Sequence, residues 1–137
     1  MKAKLFYILF LFAFAMHAQK GTADYSILPK NDAINISLKG ADLQNQIWQD
    51  SIVKNTELKL IGADAQNYSI VYYHFKTNYK KTLSEDEFYE GKIPESMLHF
   101  FRDLESNCKI SFENAVIKHK ENGKMFRISP LSLLIKP

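Results

Sequence analysis

Histidine, cysteine and clustered carboxylates carry most of the chemistry open to a side chain, and this chain is sparing with all three. Its histidines are His17, His74, His99 and His119, and Cys108 is its single cysteine. Zinc sites show set ligand spacings, such as H-E-x-x-H on one helix face or C-x-x-C pairs, and neither occurs here. Nucleophilic catalysis needs a nucleophile, a base and an orienting group in contact. No G-x-S-x-G elbow is present. Cys108 and His119 stand eleven residues apart on one expected strand, too far along it to touch. The carboxylates Glu85, Asp86, Glu87 and Glu90 gather in "SEDEFYE", which reads as a solvated acidic loop without the D-x-D-x-D-G spacing of a calcium loop. No catalytic residue, metal or cofactor is therefore assigned. The alternative is a site assembled from separate strands, with His74 or His119 beside nearby carboxylates, in a small secreted enzyme or a metal- or ligand-binding protein.

Aromatic residues are the other candidates. Tyr68, Tyr72, Tyr73, Phe75 and Tyr79 fall at strand positions, where cross-strand and core pairing is their ordinary use. Phe88 and Tyr89 stand in the acidic connection, where large apolar groups need a reason. Either they fold back onto the domain edge or they meet a partner.

The N-terminus speaks to compartment. Lys2 and Lys4 precede the uncharged run "LFYILFLFAFAM", and a small residue, Ala18, precedes Gln19. A basic start, a short apolar run and a small residue at the cut define a secretory signal peptide. Cleavage is expected after Ala18, with Ala15 a competing site, giving a signal over residues 1–18 and a single domain over 19–137. The run is shorter than the roughly 20 residues of a membrane span. An uncleaved N-terminal anchor is the alternative. Cleavage removes two of the 18 basic residues and leaves 16 against 15 acidic ones, so the net charge falls from +3 to +1. A near-neutral chain gives no case for nucleic acid or an anionic membrane surface. One cysteine excludes an intrachain disulfide, and Cys108 reads as a small core hydrophobe.

The elements that must position these groups are mostly strands. "AINISLKG" alternates Ile34, Ile36 and Leu38 with polar residues and ends at Gly40. "LQNQIWQDSIVK" reads as a loop or short helix, with an irregular strand from Ile47 as the alternative. Leu58 and Leu60 mark another strand. "NYSIVYYHFKTNY" is the strongest strand signal, with large side chains on both faces, as a central or sandwich strand requires. "IPESMLHFFRDLES" is the one good helix: Pro94 suits its first position, Glu95 its positive end, and Met97, Leu98, Phe101 and Leu104 share a face, with Asn107 as a left-handed stop. Ile110 and Phe112 open the next strand, and Asn114-Ala115 is a candidate bulge. Asn122-Gly123 is a hairpin signal, expected as a type I′ turn with positive φ at both positions. Pro130 interrupts the return strand, and Leu131, Leu133 and Ile135 resume the alternation.

Over residues 58–136 this order resembles the C-terminal domain of the GldM/PorM family of the type IX secretion and gliding machinery of Bacteroidota. The resemblance rests on the strand "YSIVYYHFKT", the helix "ESMLHFFRDLES" leading into "CKISFENAVIKHKENGKMFRISPLSLLI", the Ile110–Ala115 "v-x-F-x-N-I"-like segment and the Asn122–Arg127 "D-G-K-x-R"-like turn. It departs at the helix exit, where Asn107-Cys108 replaces the usual glycine. It implies a mainly β fold with one helix, an immunoglobulin-like β-sandwich. It also implies a periplasmic or surface location, a partner in the cell envelope such as a secretion-ring component, and a homodimer. The family's motor helix is absent from the sequence, so the chain is expected to be a non-enzymatic interaction module and not a motor subunit. Phe88, Tyr89 and Arg127 are its candidate interaction residues.

Overall fold

The computed structural model describes residues 24–77, 84–89, 91–104 and 106–137. The expected signal peptide and its expected cut site lie outside the described residues, as does Tyr79. The chain is mainly β, with two sheets and few helices. Its strands are β1 (Ile34–Leu38), β2 (Gln46–Trp48), β3 (Leu58–Gly62), β4 (Tyr68–Thr77), β5 (Ser84–Phe88), β6 (Cys108–His119), β7 (Met125–Arg127) and β8 (Leu131–Lys136). The helices are α1 (Gln49–Lys54) and α2 (Glu95–Arg102).

β1 and β3 form a two-stranded antiparallel sheet. The larger sheet runs β2-β8-β6-β4-β5, with β7 also paired to β6. β8 holds the Cys108–Phe112 half of β6 and β7 holds Val116–Lys118, so the return strand is broken in two around Pro130. β2 lies parallel to β8, and the other pairs within the large sheet are antiparallel.

The period-two pattern decides which faces are buried. Ile34, Ile36 and Leu38 of β1 meet Tyr73 and Phe75 of β4, Ile110 and Phe112 of β6, and Leu133 and Ile135 of β8 in one core. That core lies against one face of the large sheet and is closed by the helices. Phe101 of α2 packs its ring edge-on to Phe75 at 6.3 Å, and Ile52 of α1 is fully buried. The Gln49 side-chain amide donates to the Arg102 carbonyl, tying the start of α1 to the end of α2. The buried Tyr73 hydroxyl donates to the Lys92 carbonyl at 2.7 Å, so its burial leaves no unpaired oxygen. At the end of β3, Gly62 has φ +123°, and a Cβ there would come 2.0 Å from the Ala33 carbonyl oxygen; only glycine fits.

Several details depart from expectation. The described residues hold two α-helices, not one. α1 lies in the stretch read as loop or short helix, and it is held by tertiary packing of Ile52 more than by an apolar stripe. α2 starts after Pro94, which is its N-cap, and ends at Asp103. Asn107 has no left-handed conformation and stops nothing. The end of the acidic connection is not a loop but the edge strand β5, whose backbone pairs with β4 from Tyr73 to Thr77. The bulge at Asn114-Ala115 is present. Register slips between Glu113 and Val116, and Asn114 takes φ +49°, a value asparagine tolerates better than most residues.

Candidate functional site

Opposite the core, β4 turns Tyr72, His74 and Lys76 onto the outer face of the large sheet. Its neighbours align carboxylates with them: Glu87 of β5 and Glu113 of β6 both stand in register with His74. The 3-10 turn Tyr25–Ile27 covers one end of this face, its entry capped by the Asp24 carboxylate accepting from the Ser26 N–H at 2.9 Å. Tyr25 lies 4.7 Å from Tyr72, and Tyr72 lies 5.5 Å from Tyr89, ring centre to ring centre. The Tyr89 hydroxyl donates to Glu87 Oε2 at 3.3 Å.

Two tyrosines, Tyr72 and Tyr89, therefore bond one carboxylate, and Tyr25 packs on Tyr72. Burial, and then the hydrogen bond to Glu87 and its negative charge, push the Tyr72 phenol up to about 12. Tyr89 is raised by burial and then by the Glu87 charge, although half of its surface is exposed. On the other flank Lys76 meets Glu113 at 3.1 Å, and the Ser111 hydroxyl donates to the same carboxylate at 3.1 Å. The bond to Lys76 holds Glu113 below its usual range, against the opposing effect of burial. Beside Tyr25 and Tyr72, a recess of about 200 Å³ is bounded by Asp24, Ser26, Asn114 and Arg127. Such a surface offers rigid aromatic area, fixed carboxylates and an imidazole. It suits recognition by stacking and hydrogen bonding.

The structure brings some sequence candidates here and sends others elsewhere. Phe88 folds back: its ring sits 5.3 Å from the buried Tyr73 and packs against the core. Tyr89, its neighbour, stays on the outer surface. Arg127 is half-buried and serves the fold. Its Nε donates to the Leu28 carbonyl at 2.8 Å, and its backbone bonds to Pro29 and Asn31. Asn122 and Gly123 lie at the far end of the hairpin, where only Gly123 has positive φ, +71°. The turn is therefore not type I′. Gly123 N–H reaches back to the His119 carbonyl at 3.0 Å and His119 N–H to the Lys124 carbonyl at 2.8 Å, enclosing a four-residue loop.

His119 belongs to that loop and not to the outer-face site. Its Nδ1 accepts from the Glu121 and Asn122 N–H groups, at 3.2 and 3.3 Å, and its ring packs edge-on to Tyr68. Cys108 is buried, with Sγ 3.1 Å from Thr77 Oγ1, and burial raises its thiol. Among the described residues no group of three or more His, Cys, Asp or Glu side chains is placed to hold a metal ion. Sequence reading passed over Tyr25 and the part played by Glu87. Tyr25 is 47 residues from Tyr72, and no local periodicity links them.

No protein-family model matches the chain, and no curated protein matches it. Among the described residues no helix is long and apolar enough to cross a membrane.

Proposed function

We propose that the protein is an exported, non-enzymatic protein–protein interaction module on an immunoglobulin-like β-sandwich, serving as an accessory of the type IX secretion and gliding machinery. The observation that carries the interaction reading is the tyrosine surface, with Tyr25, Tyr72 and Tyr89 in ring contact beside Glu87. Tyrosine is enriched at the centres of protein interfaces because it adds large contact area and a hydroxyl at little cost in side-chain entropy. Here the ring contacts and the Glu87 bond fix the side chains before any partner arrives, which lowers the ordering cost of binding. Two sheets sharing one core support the sandwich. The succession β4, α2, β6, turn and return strand supports the family resemblance. Export rests on the N-terminal sequence. The partner is a protein of the cell envelope, with a secretion-ring component first in line.

A photo-reactive residue replacing Tyr89 tests the surface in cells, with the same residue replacing Glu121 at the hairpin tip as control. An adduct of defined mass at position 89 and none at 121 is the expected result. Adducts at 121 alone would move the interface to the hairpin.

A second reading has one specific observation behind it: His74 stands in register between Glu87 and Glu113, an arrangement that serves proton transfer. Unchanged turnover of a hydrolase substrate panel on His74→Ala would remove it.

A further inference from the structure

β3 and β4 follow one another in the chain but belong to different sheets. A groove of about 650 Å³ separates them, within the roughly 300–1,000 Å³ of ligand pockets. Leu60 and Ile61 wall it on the β3 side, Tyr68 and Ile70 on the β4 side, and Gly91 bounds it too. Ile61 keeps 52% of its surface exposed, unusual for an isoleucine on a strand.

Backbone parity determines what the β3 wall offers. Leu58 N–H donates to the Gly91 carbonyl at 3.0 Å, and Ile93 N–H donates to the Thr56 carbonyl at 2.7 Å. Residues 56 and 58 thus turn their polar groups away from β1. Alternation along an antiparallel strand hands Lys59 and Ile61 to β1 and turns Leu60 the same way as Leu58. No described residue pairs with Leu60 on that side. The molecule already adds a short extended piece of itself to this edge, through the Glu57–Lys92 bridge. Among the described residues that pairing ends at Gly91, and the groove continues along β3 from there.

We infer that the groove takes an extended peptide segment of a partner protein, added as a strand to β3 at Leu60, with apolar side chains at alternate positions facing Leu60, Tyr68 and Ile70. The inference rests on the interaction reading and names one chemistry for it. Main-chain bonds supply affinity, and the apolar wall selects alternate side chains, as in other cases of strand addition. Roughly four guest residues span Lys59–Gly62 at about 3.3 Å each.

The probe is an acetylated peptide of alternating valine and threonine with terminal lysines, about eight residues long. It is titrated into the isotope-labelled protein while amide shifts are followed. Saturable shifts confined to Leu58–Gly62 and Tyr68–Ile70 are expected, with slowed exchange of the Leu60 amide. Leu60→Pro deletes the outward N–H together with the leucine side chain and should weaken binding about tenfold or more, whereas Leu60→Val, which trims the side chain and keeps the N–H, should stay within about threefold. Peptides N-methylated on one alternate set of residues should lose binding, and those methylated on the other set should keep it. This arm holds even where the proline variant fails to fold. Absence of saturable shifts to millimolar peptide, or indifference to which set is methylated, would overturn the inference. The same shifts arising from protein concentration alone would assign the groove to a second copy and also overturn it. Tyr89→Ala, on the outer face, should leave peptide binding unchanged, so failure of the groove and failure of the tyrosine surface are read separately.

Discussion

At the scale of single residues, burial and pairing dictate what each titratable group does. Cys108 is sealed beside Thr77, and its thiol is raised by burial, so its thiolate form is suppressed. A free cysteine titrates near 8.5 when unfolded. The folded value lies above the unfolded one, so the stability Cys108 contributes is complete below about pH 8.5 and is lost as pH rises through the folded value. Two outcomes are expected: no alkylation of the native thiol at pH 8 until denaturant unfolds the chain, and a shallower fall of Tm between pH 8 and 10 in Cys108→Ala. Rapid native alkylation would contradict this burial. Glu113 has the opposite sign. Its bond to Lys76 depresses it, so its contribution is present above the ordinary glutamate value and lost as pH falls through the folded one. Both side chains are one-third exposed, so the effect is small. The Tm gap between wild type and Glu113→Gln should be present at pH 7 and closed by pH 3. A gap that persists at pH 3 would assign the loss to packing.

At the scale of elements, local pattern made some strands readable and tertiary pairing hid the rest. β1, β4 and β6 carry apolar alternation in their own residues, and α2 carries an apolar stripe through Met97, Leu98 and Phe101, continued by Leu104 just past its end; all four were legible. β5 was not, because an edge strand can be polar on most of its length, and only its backbone pairing with Tyr73–Thr77 makes it a strand. β2 was legible only as the alternative of an irregular strand from Ile47, because it is three residues long and is fixed by its parallel pairing to β8, almost ninety residues away. The hairpin tip was located correctly by Asn122-Gly123, but the turn type was not. Positive φ falls on Gly123 alone, since His119 Nδ1 organises the Glu121 and Asn122 amides instead. The space around a Cβ at Gly123 is open to 3.7 Å, so Gly123→Val should cost about 1 kcal/mol or more through φ strain alone. Asn114→Val at the β6 bulge should cost a similar amount, about 1–2 kcal/mol, while Asn114→Gly should be near neutral. Urea midpoints measure both, and an unchanged midpoint in either valine variant would remove the left-handed assignment at that position.

At the scale of the whole molecule, one face of the large sheet is committed to the core and the other carries the tyrosine surface proposed for recognition. Its tyrosines come from the 3-10 turn, β4 and the residue after β5, segments that share no motif, which is why the surface had no signature in the sequence. The proposed interaction role joins that surface to the β-rich fold, to the export proposed from the N-terminal sequence and to the resemblance over residues 58–136. The most direct measurement is an in-cell cross-linking pull-down of the tagged mature protein, compared with its Tyr89→Ala and Glu87→Gln variants and followed by mass spectrometry. Enrichment of secretion-ring or gliding components by the wild type, reduced about tenfold or more in the variants at unchanged Tm, is expected for loss of an interface anchor. Recovery of no envelope protein, or of the same proteins in equal amounts from all three, would contradict it.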